Sequence, residues 1–251
     1  SHPAPVALVF DYEADWLYRA QPQGQEFSYR DLAWTFYQAL RSLGLDVDFV
    51  RPGGSLQGYP LVVVPSTPIV REEMLEALRS AQAAVVLGPR TGSKTESLGI
   101  PPELPPGPLQ ALLPVKVVRV ESLPPGVDFE VEWEGGRYRS SVWREWVETA
   151  LEPIGNFADG KGAIFQNNNL RYLAFWPTRE FLAAYLGRLA GSLGLRAHPL
   201  PEGLRLRQRG DLTFAFNYTP HPQAVPAPEG AEFVLGGPTV DAYGVSAWRR
   251  T

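Results

Sequence analysis

Leu61-Val62-Val63-Val64-Pro65, a helical pattern from Arg71 to Ala81, and Ala83-Ala84-Val85-Val86-Leu87 form the stretch that decides the fold. Each apolar run is short and unbroken, as in a strand covered on both faces. Two such strands joined by a helix of this length imply a right-handed parallel crossover. Upstream, Val6-Ala7-Leu8-Val9-Phe10 has the same character. A helix is expected from Ser28 to Leu43, with Leu32, Phe36, Ala39, Leu40 and Leu43 on one stripe. Ser28 suits its N-cap and Gly44 its C′ position. A strand follows at Asp46 to Val50. The expected class is α/β with a doubly wound, mostly parallel sheet, of the flavodoxin-like or class I glutamine amidotransferase-like kind.

A (β/α)8 barrel is the competing architecture at 251 residues. Element order excludes it, because the alternation stops after Gly92 in the Pro-rich stretch from Pro101 to Pro106. Phe129 to Trp133 and Tyr138 to Ser140 read as an inserted β-hairpin turning at Gly135-Gly136. The α/β pattern resumes at Ala163 to Gln166 and Leu173 to Trp176. A helix from Arg179 to Leu193 then repeats the Ser-Leu-Gly-Leu ending of the earlier one. Beyond Pro201 only short strands remain, too few residues for an independent sandwich, so this tail is expected to pack on its neighbour. The division expected is 1–200 for the α/β domain and 201–251 for a small β domain.

Composition narrows the chemistry. The 44% apolar content and net charge of −4 are those of a globular protein and argue against nucleic acid or an anionic membrane as partner. No run of eighteen apolar residues offers a membrane span, and Ser1 to Pro5 reads as a linker remnant without signal character, which points to the cytoplasm. Absence of cysteine removes disulfides, thiolate metal sites and the amidotransferase nucleophile together. The three histidines, His2, His198 and His221, include no pair at helical ligand spacing, so neither metal nor cofactor is expected. One Met, 25 Pro and more Arg than Lys suggest a heat-adapted, GC-rich bacterial source.

Glycoside hydrolysis needs two carboxylates roughly 5 Å apart or roughly 6.5–9.5 Å apart. Glu130 with Glu132 share one face of the hairpin and read as solvated. Glu145 with Glu148, beside Trp143 and Trp146, read as exposed helix surface. A hydrolase with its own site would require Glu130 or Glu145 to be buried. Gly88-Pro89-Arg90-Thr91-Gly92-Ser93 lies where a parallel sheet binds ligands, so Arg90 is the candidate for holding a small sugar or anion. The loop matches no nucleotide-binding pattern. Asn167-Asn168-Asn169 reads as a turn, and Asn217-Tyr218-Thr219 as a strand end. Residues 11–26 read as an irregular loop carrying Tyr12, Trp16, Tyr18 and Arg19, with Phe27 and Tyr29 beyond it. Two readings stay open for these four residues: a subunit contact, which favours aromatics and Arg, or packing beneath the loop.

Val6 to Glu13 with Trp16, Gly44 to Val50 with Leu61 to Pro65, and Val86 to Glu96 with its Arg-Thr-Gly loop resemble the middle domain of glycoside hydrolase family 42 β-galactosidases. Phe214 to Thr219 and Tyr243 to Val245 resemble that family's C-terminal strands. The resemblance runs in order over nearly the whole chain. It implies a trimerisation domain followed by a small β domain, self-association as a homotrimer, and a non-catalytic scaffold role beside an N-terminal catalytic barrel. Both catalytic glutamates of the family lie on that barrel, which nothing here matches, so no catalytic residue is carried across.

Overall fold

The computed structural model describes residues 4–249; the linker expectation for the first three residues, with His2, lies outside them. In chain order the first half comprises β1 (Val6–Val9), α1 (Tyr12–Ala20), α2 (Tyr29–Ser42), β2 (Val47–Val50), β3 (Leu61–Val64), α3 (Glu72–Ser80) and β4 (Ala84–Leu87). A 3-10 turn at Gly107–Ala111 leads to β5 (Lys116–Ser122), β6 (Phe129–Trp133), β7 (Gly136–Ser140) and β8 (Trp143–Glu148). Next come β9 (Gly155–Phe157), β10 (Gly162–Asn167), β11 (Leu170–Leu173) and α4 (Arg179–Ser192). The tail holds β12 (Leu204–Arg209), β13 (Leu212–Asn217), β14 (Gln223–Ala224), β15 (Phe233–Leu235), β16 (Thr239–Val240) and β17 (Val245–Arg249).

One nine-stranded sheet organises the large domain, in the order β2-β1-β3-β4-β11-β10-β9-β6-β7. The pairs from β2 through β4 to β11 are parallel, and all those from β11 to β7 are antiparallel. The sheet is therefore mixed, not mostly parallel. The hairpin β6–β7, which falls in the chain between the paired strands β4 and β11, prolongs the main sheet, with β7 at its edge. Its turn residues are Glu134 and Gly135, both at positive φ, with Trp133 opposite Gly136. That twist matches the strands, as a two-residue hairpin requires.

Alternate residues of the central strands serve two cores. Val6, Leu8, Leu61, Val63 and Val86 pack under α1, α2 and α4. Ala7, Val9, Val62, Val64 and Val85 face α3 and the 3-10 turn. Period-two alternation with both faces covered is why these runs contain no polar residue. Both long helices end in the same device. Gly44 and Gly194 take positive φ, while Leu45 N–H reaches Leu40 C=O at 3.2 Å and Leu195 N–H reaches Ala190 C=O at 2.9 Å.

The segment read as a loop from Asp11 is helical over Tyr12–Ala20. Asp11 caps it by accepting from Glu13 N–H at 3.0 Å and Ala14 N–H at 3.1 Å. The short helix carries little helical signal, because its inward stripe is only Ala14, Leu17 and Tyr18 around a buried Asp15.

The tail forms a four-stranded sheet, β12-β13-β17-β15, with a small β14–β16 ladder. Its core is little more than Leu204, Leu206, Ala215, Val240 and Trp248. It leans on α2: Arg41, buried, donates to Asp46 Oδ1 at 2.8 Å and to the Leu206 carbonyl across the boundary. Asp46 Oδ2 in turn accepts from Gln208 N–H at 2.8 Å.

Candidate functional site

The carboxyl ends of the parallel strands converge on a sealed polar cluster. β4 runs into Gly88-Pro89-Arg90, and Arg90 takes φ 65, a left-handed conformation rare outside glycine. It is held there because its N–H donates to Glu145 Oε1 at 3.0 Å. Its guanidinium donates to Gln23 Oε1 at 2.7 Å and lies 5.1 Å from the Trp143 ring centroid. Arg90 Nε has no partner among the described residues. The loop is tightly enclosed. A Cβ on Gly92, which has φ 67, would stand 2.0 Å from the Pro106 carbonyl oxygen. Gly92→Ala is expected to cost about 3 kcal/mol, read as a lowered urea midpoint, because strained backbone and an immovable carbonyl oppose the methyl together.

Glu145 is 1% exposed and lies on strand β8, so the expectation of an exposed helix surface is overturned. A strand alternates, placing Glu145 inward and Glu148 on the opposite, exposed face. They are no pair. Glu145 Oε1 also accepts from Trp143 Nε1 at 3.0 Å, and Oε2 from the Tyr172 hydroxyl. Burial pushes this carboxyl above its ordinary value, while the Tyr172 bond, the Arg90 charge and the other donors pull it back. The burial that a self-contained hydrolase would require is thus present at Glu145, but three protein donors already engage that carboxylate. Glu130 stays half-buried on β6, and Glu132 pairs with Arg137 at 3.1 Å.

Around this centre sit Tyr18, whose hydroxyl is 2.9 Å from Ser66 Oγ, and Phe27, wedged edge-on against Trp143 and Trp176. Burial drives the Tyr18 phenol up to about 12. Tyr18 is 3% exposed, so of the four contact candidates it is the one that packs inward. Tyr12 and Trp16 are 65% and 64% exposed, and Arg19 stands at the surface bonded to Asp15 at 2.9 Å. Asn167 and Asn169 brace neighbouring carbonyls, and Asn217 gathers those of His221 and Asp241 at the end of β13. No cluster of three or more His, Asp or Glu groups able to share a metal ion occurs among the described residues.

A two-faced α/β domain with a docked β domain, and a carboxylate locked among its own donors, define the molecule structurally. Residues 4–196 match the family model for the β-galactosidase trimerisation domain, and residues 203–250 that for the β-galactosidase C-terminal domain. The chain belongs to the glycoside hydrolase family 42 β-galactosidases, of which it carries these two domains. It is 58% identical to a β-galactosidase of Thermus thermophilus over 98% of its own length and 38% of that protein's. The β-galactosidase BgaA of a Thermus species gives 59% identity with the same coverage. Among solved structures, the β-galactosidase of psychrophilic Marinomonas ef1 superposes with TM-score 0.95 at 36% identity, covering 99% of this chain and 38% of that one. The chain therefore spans about 38% of the length of these relatives.

Proposed function

We propose that this chain is the non-catalytic oligomerisation and scaffold portion of a β-galactosidase that removes terminal β-D-galactosyl units. The carrying observation is end-to-end agreement with the trimerisation and C-terminal domain models over a chain spanning 38% of its relatives. The sequestered state of Glu145 supports it, because a general acid or nucleophile must reach its substrate. Catalytic carboxylates then belong to a barrel outside these residues. The division falls near residue 200, leaving 1–200 and 201–251. The parallel strand order β2-β1-β3-β4-β11 supports a flavodoxin-like, amidotransferase-like ancestry. The compartment proposed is the cytoplasm; no helix among the described residues is long and apolar enough to cross a membrane. The Thermus relatives support a heat-adapted source.

Self-association is assigned to the surface bearing Tyr12, Trp16 and Arg19. Tyr12 lies 4.9 Å from the Phe10 ring, and Phe10 lies 6.2 Å from Phe49, itself 59% exposed on terminal strand β2. Contiguous exposed aromatics of this kind mark interfaces. A closed trimer uses head-to-tail contacts, so this face meets a different face of the next copy. In sedimentation, Trp16→Ser with Tyr12→Ser is expected to weaken assembly about thirtyfold, roughly 2 kcal/mol. An aryl β-galactoside assay of the same chain should show no turnover. Enzyme-like turnover abolished by replacing a glutamate of this chain would overturn the scaffold reading.

The alternative is a module holding a small sugar or anion near Arg90, favoured by the unpartnered Arg90 Nε. It requires saturable binding of phosphate, galactose or lactose that is lost in Arg90→Ala.

A further inference from the structure

Beside the β6–β7 turn, two cavities of about 410 Å³ and about 190 Å³ adjoin, sharing Trp133, Glu134 and Ile154. Together they reach the size range of small-molecule sites, about 300–1,000 Å³. We infer that this groove is a non-catalytic binding site for a neutral sugar, a single pyranoside unit or the end of a short oligosaccharide.

Three observations carry the inference. The first is an unanswered hydroxyl. Tyr185, 3% exposed on α4, lines the smaller cavity, and its Oη has no hydrogen-bond partner among the described residues. A buried phenol without a partner forfeits free energy unless something completes it, and a sugar hydroxyl can both donate and accept. Burial raises this phenol, with Glu134 raising it further and Arg171 opposing, so it keeps its proton and remains a donor.

The second is an apolar wall against which a ring can lie. Trp133, 9% exposed, packs 5.0 Å from Tyr185, centroid to centroid, so only its edge reaches the groove, and Ile154, 40% exposed, supplies most of the accessible apolar surface. Aromatic surface with a polar edge is what the C–H face of a pyranose needs.

The third is charge. Both carboxylates on the rim are already paired, Glu132 with Arg137 at 3.1 Å and Glu134 with Arg188 at 3.4 Å. A charged ligand of either sign would have to compete with these pairs, whereas an uncharged polyol can use the remaining donors and acceptors without displacing one. Gln166 adds an amide whose nitrogen is held by the Asn168 carbonyl at 3.1 Å.

Calorimetric titration of the whole 251-residue chain with methyl β-galactopyranoside and lactose tests this, with inorganic phosphate as the charged probe. Saturable binding of either sugar near 1 mM is expected. Tyr185→Phe should weaken it about fivefold without lowering the melting temperature, since the lost hydroxyl has no protein partner. Gln166→Ala should also weaken it, and Arg90→Ala should leave it unchanged. The inference is overturned by an absence of saturation up to about 100 mM. Unchanged affinity in Tyr185→Phe, or phosphate binding more tightly than both sugars, would overturn it equally. Assembly is read separately by sedimentation, so this inference and the scaffold reading can fail independently.

Discussion

Glu145→Ala lowers the stability of the chain by about 4 kcal/mol, the first of two large effects expected. The alanine leaves Arg90 N–H, Trp143 Nε1 and the Tyr172 hydroxyl buried without their acceptor. Each such loss costs about 1–3 kcal/mol, partly relieved by water entering the space. Glu145→Gln keeps one carbonyl oxygen for the two donors at Oε1, and the Tyr172 hydroxyl can reverse to accept from the amide. Its cost is therefore about 1–2 kcal/mol. Urea unfolding followed by tryptophan fluorescence separates the two variants, and equal midpoints would refute this account of the cluster.

The pH dependence of that cost has a definite sign. Burial raises the folded-state value of Glu145 above the ordinary one near 4.5. The native state then holds the proton longer than the unfolded chain, so the group's stabilising contribution is complete below pH 4.5 and is lost as pH rises through the folded value. Glutamine carries no such slope. The stability gap between wild type and Glu145→Gln should therefore narrow as pH rises above 4.5, measured as urea midpoints at a series of pH values. A gap that widens would refute the sign.

The second large effect lies at the boundary between the domains. Arg41 and Asp46 are both buried, 2.8 Å apart, and each also bonds the backbone of β12. Removing Asp46 strands the buried Arg41, so Asp46→Ala should cost about 3–5 kcal/mol, whereas Arg41→Ala leaves Asp46 paired with Arg207 at 3.6 Å and should cost less. Replacing both together with apolar residues of similar size, Arg41→Met with Asp46→Leu, should cost less than either single change. The loss is expected to be uneven. With so small a core of its own, the β domain should open first, seen as amide exchange in β12, β13 and β17 rising before that in β1 and β3. Uniform loss of protection would mean that the tail contributes no separate cooperative unit.

Much of the architecture was legible in local chemistry. Strands buried on both faces announce themselves as unbroken apolar runs, as at Leu61 to Val64. Gly44 and Gly194 announce helix ends, because only glycine enters the left-handed region cheaply. The family was legible too, since its resemblance is spread along the chain. The mixed half of the sheet was harder to see. β9 and β11 are three and four residues long, and pairing partners for such strands are chosen by the rest of the sheet.

What the sequence by itself determined is therefore the buried parallel strands, the long helices with their glycine ends, and the lineage. Tertiary structure alone decided the state and facing of the short polar segments. Trp143 to Glu148 supports a helical or an extended reading equally well over six residues. Only pairing with β5 made it a strand, and only Arg90 and Tyr172, 55 and 27 residues away, gave Glu145 reason to turn inward. Tyr18 likewise faces Ser66 and not solvent because Asp11 starts a helix whose inner stripe contains it. A buried polar group stays buried only where distant donors meet it, and that meeting is a property of the assembled fold.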